Sequence, residues 1–344
     1  MRATLRRHRD RAAKAPEHFD RRPLRILITA PARQLLSTRR NTSASADNSM
    51  TVILEGGCRV STSQEGEPIS NGTLRIWNPI GRATGAQAIS LRVMEFASGL
   101  SPAIKNDECD QILYIIDRSS LSSDRDREAV PKGKQGHERS APPLKQIHFN
   151  QSHSEGVQGD CRETQISING RAYHIERNTG IYIRPNETFA INNPGPHPLV
   201  VVSSQCPDPN RPPEFASTTL ASSSLSDTPG PLIRLADRPA QSTANRWYRV
   251  LVDDEVGSTQ ATQFVGSIPP GRAPDHFHNY EEVLFILNGK GRMWAGDTNT
   301  PIGPGSCVYL PKGQVHCVEN TGKDELRLLG VFYPAGSPSV RYDV

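Results

Sequence analysis

The sequence has no long apolar run. Nowhere do the roughly 18 to 20 consecutive hydrophobic residues of a membrane helix occur, and no apolar segment follows the basic N-terminus as a secretory signal requires. Its six cysteines, Cys58, Cys109, Cys161, Cys206, Cys307 and Cys317, include no CxxC pair. That excludes a zinc ribbon and a dithiol redox centre and leaves reduced, buried thiols. Aromatic residues are only 6% of the 344, while 27 Gly and 28 Pro demand many turns, so a long helical bundle is excluded as well. Ser-His-Asp arrangements, phosphate loops, dinucleotide fingerprints and helix-turn-helix patterns are also missing. A cytoplasmic protein with no membrane partner is expected.

A large excess of one charge is missing too. The net charge is +4, from 40 Lys+Arg against 36 Asp+Glu, and it is unevenly placed. Residues 1–49 carry 12 basic and four acidic side chains, a net of +8, so the remainder is at −4. A body of that sign has no general affinity for phosphate backbones, and no nucleic-acid partner is expected. The 1–49 segment is too polar to order a core of its own. It is compatible with a disordered tail, an organelle transit peptide or sequence upstream of a true start at Met50. The first and third are preferred, because Met50 opens directly onto Thr51-Val-Ile-Leu-Glu55.

What the chain does have is short β-branched and aromatic runs broken by Gly, Pro and Asn every 8 to 12 residues, the pattern of an all-β sandwich or barrel. Gly72–Trp77, Ile89–Met94, Gln111–Ile116, Gln165–Ile168 and Leu199–Ser203 are examples. Residues 118–160 form a polar insertion with little apolar periodicity, and 207–245 reads as a Pro/Ser-rich linker in which Leu232–Leu235 can add a short strand. The two halves repeat weakly. Asn169-Gly170 and Asn288-Gly289 are hairpin-turn dipeptides, and each is followed by Gly, an apolar strand and Pro: Gly180–Pro185 and Gly305–Pro311. Both then reach Asn and Gly, as Asn193-Pro-Gly195 and Asn320-Thr-Gly322, which implies two copies of one barrel at 50–206 and 246–344.

Metal-binding side chains concentrate in the second copy. His276 and His278 are two residues apart and share one face of a strand, Glu282 has the same parity, and His316 follows the turn Pro311-Lys-Gly313. Three neutral imidazoles and one carboxylate suit a single divalent ion, Fe, Mn, Ni, Co or Zn, and leave two octahedral positions open for a small-molecule substrate or O2.

This spacing resembles the cupin superfamily. Its first motif, G(X)5HXH(X)3-4E(X)6G, is met by His276, His278, Glu282 and Gly289, with four residues rather than five between Gly271 and His276. Its second, G(X)5PXG(X)2H(X)3N, is met at Gly305, Pro311, Gly313, His316 and Asn320. The resemblance implies an all-β fold of two cupin-type antiparallel barrels (a jelly roll, or double-stranded β-helix). It also implies metal ligands at His276, His278, Glu282 and His316. Aligning Gln111–Ile116 with Glu282–Leu287 puts Lys105, Asp107 and Gln111 at the first three ligand positions and Phe189 or Ala190 at the fourth. The first barrel is therefore expected to be metal-free and to serve packing, homodimerisation or substrate enclosure. Arg272, Tyr280, Arg292 and Gln314 are the candidate substrate-binding residues, either arginine being able to fork onto a carboxylate. The expected function is a mononuclear metalloenzyme, with dioxygenation of a small chelating substrate preferred to isomerisation or decarboxylation. A non-catalytic small-molecule binder is the rival.

Overall fold

The computed structural model describes residues 51–116, 163–217, 230–243 and 245–339. The 1–49 segment and the 118–160 insertion lie outside the described residues. Within them the regular structure is antiparallel β-strand apart from single 3₁₀ turns, and no helix is long and apolar enough to cross a membrane.

Each half pairs a large sheet with a small one, and the two large sheets lie back to back. Strand parity builds this stack. In Asp110–Ile115, Ile112 and Tyr114 point into the layer between the barrels, while Leu113 and Ile115 fill the first barrel. Strand Glu281–Asn288 does the same, with Val283 and Phe285 between the barrels and Leu284 and Ile286 inside the second. Strands buried on both faces must be apolar at nearly every position, which is why 112–116 and 283–287 read as unbroken hydrophobic runs. Two carboxylates are buried beside this layer, and each is fully engaged. Asp110 accepts from Tyr182 Oη (2.8 Å) and from Ser258 Oγ of the other barrel (3.0 Å). Glu281 accepts from Tyr309 Oη and, across the layer, from the backbone N–H groups of Gln87 (2.8 Å) and Ala88 (2.7 Å). Desolvation is offset by these donors, and the barrels are locked in register.

The strands do not respect the boundaries expected from the sequence. Arg59–Thr62, placed in the first barrel, pairs with Ser306–Leu310 and joins the second barrel's large sheet, along with Val52–Ile53. The 207–245 span is not a plain linker: Leu232–Arg234 pairs with Thr179–Ile183 of the first barrel, and Gln241–Thr243 with Arg246–Val252 of the second. Edge strands left open would expose unpaired backbone groups, and these exchanged segments cover them. Asn169-Gly170 makes the expected two-residue turn with φ of 47° and 79°; at Asn288-Gly289 only the glycine is at positive φ, 91°.

The repeat is visible in side-chain detail. Asn193 Nδ2 donates to the carbonyls of Phe96 (3.0 Å) and His197 (2.9 Å), and its Oδ1 accepts from Gly195 N (3.1 Å). Asn320 does the same with Ile268 (2.8 Å), Asp324 (2.8 Å) and Gly322 (2.9 Å). Phe189 therefore stands where His316 does. The pairing of Phe189 with Ile104 matches the bridge between His316 and His276. Ile104, and not the exposed Lys105, is the counterpart of His276. The loop leading into Asp110 is one residue longer than its counterpart, and an alignment on the following strand misses that.

Candidate metal centre

Backbone pairing between two segments creates the site. His276 N donates to His316 O (3.1 Å) and His316 N to His276 O (2.8 Å), so the two residues lie directly opposite each other. One step further along, Gly313 N donates to His278 O (2.8 Å). This contact depends on the turn Pro311–Gln314, closed by Gln314 N to Pro311 O (3.1 Å), whose third residue has φ of 79° and so favours Gly313, as the same place in the first barrel is taken by Asn186 at 64°. Glu282 enters from the neighbouring strand, paired with Leu310 and Phe332.

The ligating atoms of His276, His278 and His316 lie within 4.8 Å of one another. One Glu282 oxygen is 3.7 Å from His278 Nε2 and 3.6 Å from His316 Nε2, outside hydrogen-bonding range. Glu282 thus places one carboxylate oxygen beside two of the three grouped imidazoles. Their tautomers are set from behind: His276 Nδ1 faces Pro274 O at 3.0 Å and His316 Nδ1 faces Gln314 O at 2.8 Å. A carbonyl can only accept, so both Nδ1 atoms carry the proton and both Nε2 lone pairs point inward. The His278 ring stacks on Tyr280 at 4.8 Å and 11° and lies 5.5 Å from Phe332.

Burial decides the charge state. His278, Glu282 and His316 are 5%, 5% and 4% exposed. Desolvation pushes the Glu282 carboxyl up to about 8 and, with His276 as the next contributor, the His316 imidazole down to about 3. A neutral His316 imidazole is ready to ligate, and a divalent cation would hold the buried Glu282 carboxyl ionised. The donor set therefore fits a divalent ion on these four residues.

The four residues are among those lining a cavity of about 90 Å³. Its walls are mostly apolar, from Tyr248, Phe264, Ile268, Leu284, Val318, Leu328 and Phe332, and Thr243, Arg246 and Pro338 also line it. None of the four expected substrate-binding residues lines it. Arg272 lies over the Trp294 ring at 4.1 Å and donates to Asp275 at 3.1 Å; Arg292 donates to Asn299 at 2.6 Å. The cause is parity: Met293 and Ala295 face the barrel core, so Arg292 and Trp294 face outward. Tyr280 supports the His278 ring and donates to Ser337 O (3.1 Å). Gln314 contributes its carbonyl to His316 and packs its side chain against Gly56. The sequence reading missed Arg246, Tyr248 and Gly266, all at the cavity. Only the registers Trp247 to Ser267 and Tyr248 to Gly266 show which face of those strands looks inward.

Fold and donors together define a two-barrel β-protein with one candidate mononuclear metal centre. The cupin domain family matches residues 264–332, so the second barrel carries a cupin domain. Oxalate-binding protein of Thermotoga maritima is 35% identical over 66 residues (19% of this chain and 54% of that one). Auxin-binding protein 1 of Arabidopsis thaliana is 31% identical over 70 residues, 18% of this chain and 35% of that one. The matched stretches thus span only about a third to a half of those relatives. A deletion variant of Bacillus subtilis oxalate decarboxylase superposes with a TM-score of 0.57 at 11% identity, covering 81% of this chain and 78% of that one. A putative glyoxylate-induced protein of Pseudomonas aeruginosa does so with 0.54 at 12%, covering 85% and 95%.

Proposed function

We propose that this chain is a metal-dependent bicupin enzyme. One divalent ion, Fe, Mn, Ni, Co or Zn, is held by His276, His278, Glu282 and His316, and a small chelating substrate enters the adjoining cavity. The observation that carries the reading is the grouping of three imidazoles within 4.8 Å, with the buried Glu282 carboxyl beside two of them, among the residues lining a cavity of about 90 Å³. When bound, such an ion supplies Lewis-acid polarisation of a carbonyl or, if redox-active, O2 chemistry. The protein's own part is to orient and enclose. Phe264, Leu328 and Phe332 exclude bulk water, and Pro274 and Gln314 carbonyls keep the imidazoles aimed. Dioxygenation of a compact chelate is the preferred reaction, since four protein ligands leave two octahedral positions. The relatives named for oxalate favour a second reading, non-oxidative decarboxylation or plain binding of a short carboxylate. A reducing, cytoplasmic setting accords with the unpaired Cys58, Cys109, Cys206, Cys307 and Cys317.

The test is elemental analysis of the purified protein followed by oxygen-electrode and CO2-release assays of the iron- and manganese-loaded forms on two- to four-carbon chelates. O2 uptake above buffer supports the preferred reading, and CO2 release without O2 uptake the second. An absence of stoichiometric metal would overturn both.

A further inference from the structure

Resting on the metal reading above, we infer that Arg246 recognises an anionic group on the substrate, which makes the substrate class a short chelating carboxylate. Strand Arg246–Val252 alternates, and Tyr248 and Val250 pack into the second barrel's interior cluster. Arg246, two residues before Tyr248, shares that inward face. It is the sole Lys or Arg among the cavity's lining residues, which also include His276, His278, Glu282 and His316.

The first barrel shows that this arginine is not demanded by the fold. Trp247 pairs with Ser267 as Arg75 pairs with Glu95, so Arg246 occupies the place of Leu74, which is fully buried in the first barrel's core. Tyr248 pairs with Gly266 as Ile76 pairs with Met94, so the second barrel has no side chain where Met94 stands in the first. A Cβ at residue 266 would already meet Leu328 Cδ1 and Phe264 Cε2 at 3.4 Å, so Gly266 lets these two cavity-lining side chains pack close to the strand. Two departures from one template, Leu to Arg and Met to Gly, thus coincide at the cavity. Together they set a cation among the apolar residues that line it. A guanidinium in apolar walls is matched by a carboxylate, which it can bind through two N–H donors. A ligand filling about 90 Å³ between this cation and the metal ligands has only a few heavy atoms.

The experiment uses the full chain loaded with cobalt(II), whose visible spectrum reports ligand binding. It compares oxalate with oxamate, the same shape with one carboxylate replaced by a carboxamide. Wild type binds oxalate more tightly. Arg246→Leu, which installs the side chain of the sister barrel, retains one cobalt per chain, weakens oxalate by roughly 10- to 100-fold and abolishes the preference over oxamate. Arg246→Lys falls between the two. Unchanged oxalate affinity and preference in cobalt-replete Arg246→Leu overturns the assignment of Arg246 alone. Wild type that takes up no cobalt overturns the metal reading and this inference together.

Discussion

In the first barrel Ile104 and Phe189 face each other across the same strand pair that brings His276 to His316 in the second. Gln111 stands at the position of Glu282, paired with Gln205 where Glu282 is paired with Phe332. Leu74, Ile76 and Met94 fill the interior where the second barrel has Arg246, Tyr248 and Gly266. The backbone registers are alike, and so are the Asn193 and Asn320 loop clamps. What separates a packed core from a candidate metal chamber is therefore a handful of side chains on an unchanged frame. The first barrel uses these positions for apolar packing, and the second gives up that packing for donors and space.

The largest effect should come from carrying the first barrel's residues into the second. His316→Phe or Glu282→Gln removes a proposed ligand and replaces it with what residue 189 or 111 already is. Metal content should drop from one equivalent to background by elemental analysis; retention of stoichiometric metal in both variants would place the ion elsewhere. The reverse experiment acts on stability. Phe189→Ala opens a void in the first barrel at a position only 1% exposed, and should cost about 3–5 kcal/mol in denaturant unfolding with metal content unchanged. Next, Gly266→Met restores the sister barrel's filling. Overpacking of about 1–3 kcal/mol is expected, with metal retained but oxalate binding to the cobalt form reduced roughly 10-fold.

Much of this difference could be read before any coordinates. The four proposed ligand positions were argued from strand parity and from the Pro311–Gly313 turn, and both are properties of local sequence. The degenerate character of the first barrel was equally plain at Gln111. Arg246 and Gly266 escaped notice because each lies on a strand with no motif, and its inward face is fixed by pairing with a neighbour. The shift from Lys105 to Ile104 escaped for a similar reason, since loop length is not written in the strand that follows. Residues 59–62 crossing to the other barrel is a wholly long-range choice, made by the open edge of Ser306–Leu310.

A smaller effect concerns protons. Glu282 is raised to about 8 by burial, so at pH 7 most metal-free molecules carry a proton there. Metal binding must release about one proton near pH 7, falling toward zero by about pH 9, as titration calorimetry in buffers of different ionisation enthalpy would measure. The same shift sets the stability of the metal-free protein. Its contribution is full below about 4.5 and is lost as pH rises through about 8, so Glu282→Gln should flatten that limb. His316 acts oppositely: held down to about 3, it contributes above about 6.5 and loses that contribution as pH falls toward 3. Release of no proton at pH 7 would show that Glu282 is already ionised without metal.

The smallest effect is expected at two of the residues that the sequence offered for substrate binding. Arg272 and Arg292 lie close to the ligands along the chain, yet strand alternation turns both away from the cavity. Arg272 is held outside by the Trp294 ring at 4.1 Å and by Asp275, and Arg292 by Asn299. Replacing either with Ala removes an exposed cation–π contact or a surface hydrogen bond, worth about 0.5–1 kcal/mol of stability. Oxalate affinity of the cobalt form should stay within about twofold, in contrast to the loss expected at Arg246. Equal losses at Arg246 and Arg272 would mean that the anion is sensed through the net charge of the barrel, and the contrast between inner and outer face would then no longer explain specificity.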